Sequence, residues 1–210
     1  MAAAGLDVEA MKAADARAVA DLKKGGALLG QATAAATGIE ATAATVYGAW
    51  VNFHLYNGTN CANTVKAAGY CGWLYHKYTA SSTGATYTSS YPARSGNNNP
   101  ANDWMPNVGP IPNEYSWKWG FMNGVYRGYE VDTSASFYPG KWRLDPWSVT
   151  RNGVTRGAFE IHGGSGAHDF WSSGTLGCIR LPQTSVTGLK SKWDTRTDNK
   201  ASGAYVYIYY

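Results

Sequence analysis

From about residue 70 onward, apolar and polar positions alternate in short runs separated by turn residues, the period of half-buried strands. GWLYHKYT reads as a strand, Ser81–Gly84 as a turn, and ATYTSSYPA as the partner strand. The stretch Ser95–Asn107 is a loop by its Asn, Pro and Gly content. Two prolines in GPIPNEYSWKW forbid helix and impose an extended approach to the next strand. GYEVDTSASFYP, GAFEIHGG and the closing AYVYIYY are further strands. PQTSVTGLKSKW is predicted to be a helix after Pro182, with Thr184 or Ser185 as its cap. The first fifty residues have another texture. Alanine dominates, proline is absent, and Val8, Met11, Ala18 and Leu22 recur at helical spacing until Gly25-Gly26. The expected organisation is an Ala-rich helical appendage or docking segment over 1–50, a linker over 51–69, and a mainly β domain over 70–210.

Composition narrows the classes. Charged residues make up 15% of the chain and aromatics 14%, led by 15 Tyr and 9 Trp. Lysines and arginines are scattered, with no run longer than Lys23-Lys24, so the basic stripe of a nucleic-acid groove is absent from the sequence. The net charge of +4 serves solubility or favours an anionic cell wall. Gln31 and Glu40 interrupt the Ala-rich stretch, which argues against stable membrane insertion. The first residues have acidic groups where a secretory signal needs basic ones. Cys61 and Cys71 lie ten apart and are either a small disulfide loop or two reduced thiols.

Cys178 belongs to the segment IHGGSGAHDFWSSGTLGCIRLP, which also holds His162 and His168. A thiol needs a group that lowers its pKa or accepts its proton, and histidine titrates near the working pH. His162 ends the short AFEI strand, and the glycine-rich stretch that starts at Gly163 can return the chain to Cys178. Gly177 lets a substrate carbonyl approach the backbone, and the amides of Gly177 and Cys178 are candidate oxyanion donors. Arg180 is placed to bind a substrate carboxylate or to pair with an internal acid. His168 borders the expected cleft or is a solvated loop residue. His162, His168 and Cys178 fit no common zinc spacing, so no metal is expected. His54 and His76, in strand contexts, are expected to be structural.

With GPIPNEY, KWRLDP, RGAFEIHGG and SSGTLGCIRLP, the chain resembles the L,D-transpeptidase (YkuD-like) catalytic domain. It is most similar to the short branch that includes secreted antibacterial L,D-transpeptidase/carboxypeptidase effectors. The resemblance covers roughly residues 70–210 and is strongest from Phe159 to Leu181. The family pattern is a histidine, a variable loop, then Ser/Thr-His-Gly-Cys, an apolar residue, and Asn or Arg. Here these positions are His162 and Thr175-Leu176-Gly177-Cys178-Ile179-Arg180. Leu176 stands where the family's second histidine would be. The resemblance implies a YkuD-like β-sandwich or barrel-like domain with a short helix after the cysteine. It implies Cys178 as nucleophile, His162 as base, and Ser173 and Thr175 as polar support. The implied substrates are peptidoglycan tetrapeptide stems, attacked through a thioester with release of D-Ala, then resolved by an amine or by water. No metal or organic cofactor is implied. The effector branch implies delivery by a dedicated secretion machinery, an immunity protein as partner, and a secreted or periplasmic location. A second class of function is a wall- or glycan-binding module with Trp104, Trp117, Trp119, Trp142, Trp147 and Trp171 along a sugar-contacting face, although large aromatics in a small β domain are more often core.

Overall fold

The computed structural model describes residues 47–55, 70–79, 86–97, 104–170, 174–194 and 204–209. The expected helices before residue 47, the turn at Ser81–Gly84 and Cys61 lie outside the described residues. Within them the protein is mainly β, with a mixed sheet and one α-helix.

In chain order the strands are β1 (Tyr47–Leu55), β2 (Tyr70–Thr79), β3 (Thr86–Ser95), β4 (Trp117–Trp119), β5 (Phe121–Met122) and β6 (Val125–Tyr126). They continue as β7 (Tyr129–Val131), β8 (Gly140–Asp145), β9 (Ser148–Arg151), β10 (Val154–Gly157), β11 (Glu160–His162), β12 (Ile179–Arg180) and β13 (Tyr205–Tyr209). The main sheet runs β11-β12-β3-β2-β1-β13-β4-β8-β7, and β8 pairs back onto β11, so the sheet closes on itself. Closure leaves no free edge along that ring. The pairs β1/β13 and β11/β12 are parallel, and the other pairs are antiparallel.

Two boundaries differ from expectation. Residues 47–55 are not appendage and linker: β1 pairs with both β2 and β13. Of GYEVDTSASFYP only Tyr129–Val131 is strand. Asp132 ends it, because its Oδ1 accepts from the N–H and the hydroxyl of Ser134 at 2.9 and 2.6 Å and turns the chain. Two hairpins had a sequence signal that the alternation alone did not bring out. Asn123-Gly124 joins β5 to β6, and Asn152-Gly153 joins β9 to β10. All four residues have positive φ, as a two-residue hairpin turn of this kind requires.

The core is aromatic. Trp119 packs against Trp142 and Trp193 with ring centroids 5.7 and 4.7 Å apart, and Tyr129 packs edge-on against Trp142 at 4.7 Å. Such pairs add roughly 0.5–1.5 kcal/mol each beyond the area they bury. Trp104, Trp117, Trp119 and Trp142 are buried, so they form no sugar-contacting face. Trp171 lies outside the described residues. The helix expected after the cysteine is α1 (Gln183–Asp194). Its first internal bond runs from the Val186 N–H to the Pro182 carbonyl at 3.0 Å, so Pro182 stands at the cap and Thr184 and Ser185 lie inside the first turn. Val186, Leu189 and Trp193 point one face of the helix at the core.

Candidate active site

The site follows from the strand period. On β8, Gly140, Trp142 and Leu144 are buried, while Lys141, Arg143 and Asp145 alternate with them on the other face. β11 lies beside β8 with Glu160 opposite Arg143 and His162 opposite Lys141. On its other side β11 lies parallel to β12, with Ile161 opposite Ile179 and His162 opposite Arg180. Ile161 and Ile179 belong to the core. Glu160, His162, Cys178 and Arg180 therefore share the opposite face with Lys141 and Arg143. By the register of the parallel β11/β12 pair, Cys178 and His162 are diagonal neighbours there.

This face floors a groove of about 870 Å³ lined by Cys178, His162, Glu160, Lys141, Arg143 and Arg180. Phe137, Trp147, Phe159 and Leu176 supply apolar wall, and His168 and Thr175 also line it. Cys178 is half-buried and free, and Cys71 is disulfide-bonded. Cys61, which the sequence left either bonded to Cys71 or reduced, lies outside the described residues, as does Ser173.

His162 is held from three sides. Its Nδ1 lies 2.6 Å from the Gly163 carbonyl, which can only accept, so Nδ1 carries the proton and Nε2 is left basic. Phe137 meets the ring edge-to-face at 4.9 Å. The Gly163-Gly164 backbone is pinned by bonds from the Gly164 N–H to Tyr138 O and from the Ser165 N–H to Ala135 O, each 2.7 Å. Gln183, at the start of α1, donates to Gly164 O at 2.8 Å. A Cβ on Gly163 would stand 2.1 Å from Tyr138 O, which is why a glycine follows the histidine.

The Cys178 segment hangs on Thr175. Its hydroxyl accepts from the Gly96 and Gly177 N–H groups at 3.0 and 3.2 Å and donates to Cys178 O at 2.7 Å. The Gly177 N–H is thus engaged, and of the two amides expected as oxyanion donors, that of Cys178 remains the candidate. Ser95 donates to Gly177 O at 3.0 Å. Gly177 has φ +129, and a Cβ there would stand 2.3 Å from Arg156 Nη2. Buried Arg156 holds this loop by donating to the carbonyls of Pro110, Gly109 and Leu176 at 2.6, 2.8 and 3.2 Å. The thiol donates to Ala158 O at 3.4 Å. Ala158 has φ +58, an uncommon conformation for a residue with a side chain, and it turns that carbonyl toward the sulfur.

The electrostatics keep both groups neutral at rest. Burial, aided by the cations Arg180 and Lys141, pulls His162 down to about 3, against the carbonyls of Gly163 and Ser136, which favour the charged ring. Burial, then the field of the Glu160 carboxylate, pushes the Cys178 thiol up to about 12, opposed by the Glu160 N–H, Arg180 and Lys141. Burial also lowers Arg180, whose charge is favoured by Cys178 and Asp169. A stability consequence follows. The unfolded imidazole titrates near its ordinary 6.5 and the folded one near 3. Between those values the unfolded chain binds a proton the native protein does not, so stability falls as pH falls through the window, by several kcal/mol in all. Urea denaturation from pH 7 to pH 4 is expected to show this decline, with a shallower one in His162→Gln. Equal slopes would count against a neutral buried ring.

Cys178, His162, Thr175, Arg180 and His168 thus meet at one groove, with Gly163 and Gly177 as the backbone that allows it. Lys141, Arg143, Glu160 and Phe137 are further groove residues that the motif did not include. The alternation of KWRLD separates Lys141 and Arg143 from Trp142 and Leu144, a signal for the first two. Glu160 was hidden inside a run read as apolar. Comparison with family models, with curated proteins and with solved structures found no match to this chain.

Proposed function

We propose that the groove performs thiol-based acyl transfer on peptidoglycan tetrapeptide stems, as an L,D-transpeptidase or L,D-carboxypeptidase of YkuD-like fold. The observation that carries this reading is the common face of Cys178 and His162 at the floor of an accessible groove. The peptide carbonyl enters along the apolar wall of Trp147 and Leu176, and its carboxylate end is drawn to Arg180. In this reading the thiol turns from Ala158 O toward His162 Nε2. The sulfur attacks the carbonyl as Nε2 takes its proton, and the carbonyls of Gly163 and Ser136 stabilise the imidazolium. The S–C bond forms, the amide C–N bond breaks, and the proton passes from Nε2 to the departing amine of D-Ala. An amine or water then resolves the thioester, giving a cross-link or a shortened stem. Because thiol and imidazole start neutral, the proton moves during the attack and not before it. No metal or organic cofactor takes part. Delivery by a secretion machinery into a target periplasm, with an immunity protein as antagonist, belongs to the same reading.

Muropeptide digestion followed by mass spectrometry tests it. Cys178→Ala is expected to give D-Ala release and cross-linked product at the enzyme-free level. An undiminished product profile in that variant would overturn the assignment. The buried Trp117, Trp119 and Trp142 weigh against a glycan-binding module built on an aromatic face.

A further inference from the structure

Around the candidate pair the fixed charges act unevenly. Arg180 and Lys141 oppose the imidazolium but favour the thiolate, and the carboxylate of Glu160 opposes the thiolate. Glu160 is itself a buried acid on the groove wall, 4% exposed. Ile161 lies opposite Ile179, so Glu160 and Cys178, each one residue earlier, face one another across parallel strands. The nearest cations are from β8: Lys141 Nζ at 3.6 Å and Arg143 Nη1 at 3.8 Å. Each has a closer carboxylate elsewhere. Lys141 meets Asp132 at 3.1 Å, and Arg143 makes a two-point fork to Glu130 at 2.7 and 3.0 Å. The other ionisable groups on this face include His162 on β11, Cys178 and Arg180 on β12, Asp145 on β8 and Arg94 on β3, opposite Arg180. Burial raises the Glu160 pKa more than the two cations Lys141 and Arg143 lower it.

We propose that Glu160 receives a cationic amine of the substrate, so that the groove selects acyl donors carrying an ammonium group close to the carbonyl that Cys178 attacks. Such a group neutralises the carboxylate beside the sulfur, while Arg180 and Lys141 continue to favour the thiolate, and the thiol shifts toward the state that attack requires. Activation is then coupled to binding, and an empty groove keeps the thiol inert. The substrate rests on the acyl-transfer reading. The cation site at Glu160 does not.

Two arms test the two separately. In the first, the full chain reacts at pH 7 with two methanethiosulfonates, one bearing an ammonium and one a sulfonate. Glu160→Gln is expected to lower the ammonium-to-sulfonate rate ratio at Cys178 fivefold or more, and Glu160→Asp, which keeps the charge, to retain most of it. The Gln variant is also expected to speed alkylation by neutral iodoacetamide, a change that a merely structural role would not produce. An unchanged ratio would overturn the cation site. In the second arm, wild-type kcat/KM is compared on stems in which the residue bearing the scissile carbonyl carries a free or an acetylated side-chain amine. A loss of tenfold or more on acetylation is expected, and equal rates would also overturn the site. Turnover of neither stem would defeat the acyl-transfer reading, and the thiosulfonate ratio would still decide the role of Glu160.

Discussion

Replacing His162 by glutamine is expected to lower the proposed acyl transfer by about 10²–10⁴-fold while leaving iodoacetamide alkylation of Cys178 close to the wild-type rate. The two outcomes separate because of the resting state. If histidine had already taken the thiol proton, its loss would slow alkylation and chemistry together. Here burial and Glu160 push the thiol up to about 12, and the ring is held down near 3. The thiol's own hydrogen bond goes to Ala158 O at 3.4 Å. Alkylation of the free protein should therefore keep rising through pH 9 and beyond, because the thiolate fraction is still growing there. A plateau near neutral pH, or a His162→Gln variant equally slow with iodoacetamide and with muropeptide, would show a preformed ion pair instead. Glutamine is apt here because its amide can still donate toward Gly163 O, so the pinned loop is retained.

The second large effect is on stability. Arg156→Met is expected to destabilise the protein by about 3–5 kcal/mol, read from urea or thermal unfolding. Methionine preserves much of the volume, so the loss reports the charge and its bonds. The guanidinium donates to three carbonyls, on Gly109, Pro110 and Leu176, and lies 5.2 Å from the Phe159 ring centroid. Without it, carbonyls of two loops lose a buried donor at once, at roughly 1–3 kcal/mol for each group left unsatisfied. Gly177→Ala strikes the same contact from the other side, since its Cβ would stand 2.3 Å from Nη2. The two substitutions should be strongly non-additive, with a coupling of about 1–3 kcal/mol. Additive losses would mean that the loop does not rest on Arg156. Arg156 does not line the groove, so any activity change should follow the displaced Cys178 loop.

Much of this protein was legible before its structure was known. The β-rich texture, the strands around residues 72–79, 85–93 and 205–209, and the helix after Pro182 follow from local patterns of period two and period 3.6. Cys178 and His162 stood out because both flank a glycine-rich segment, and glycine there has a backbone reason: a side chain at Gly163 or Gly177 would strike Tyr138 O or Arg156. Less legible was Glu160, because one charged residue among Ala, Phe and Ile reads as an exception in an apolar strand. Its orientation depends on the pleat, which alternates it with Ile161 and against Arg143.

The amino-acid sequence by itself determined the local elements, the absence of a basic stripe and the identity of a thiol and an imidazole at the two ends of one segment. Only the tertiary structure decided what surrounds them. The closing of β8 onto β11 and the parallel pairing of β11 with β12 bring Lys141, Arg143, Glu160 and Arg180 to one face from three strands. Those pairings are long-range, and register is set by how the whole set of strands buries its apolar face, so no window of sequence contains them. The same closure buries the imidazole at the floor of the groove and partly buries the thiol. That desolvation, which no linear motif records, is the physical reason that thiol and imidazole rest neutral.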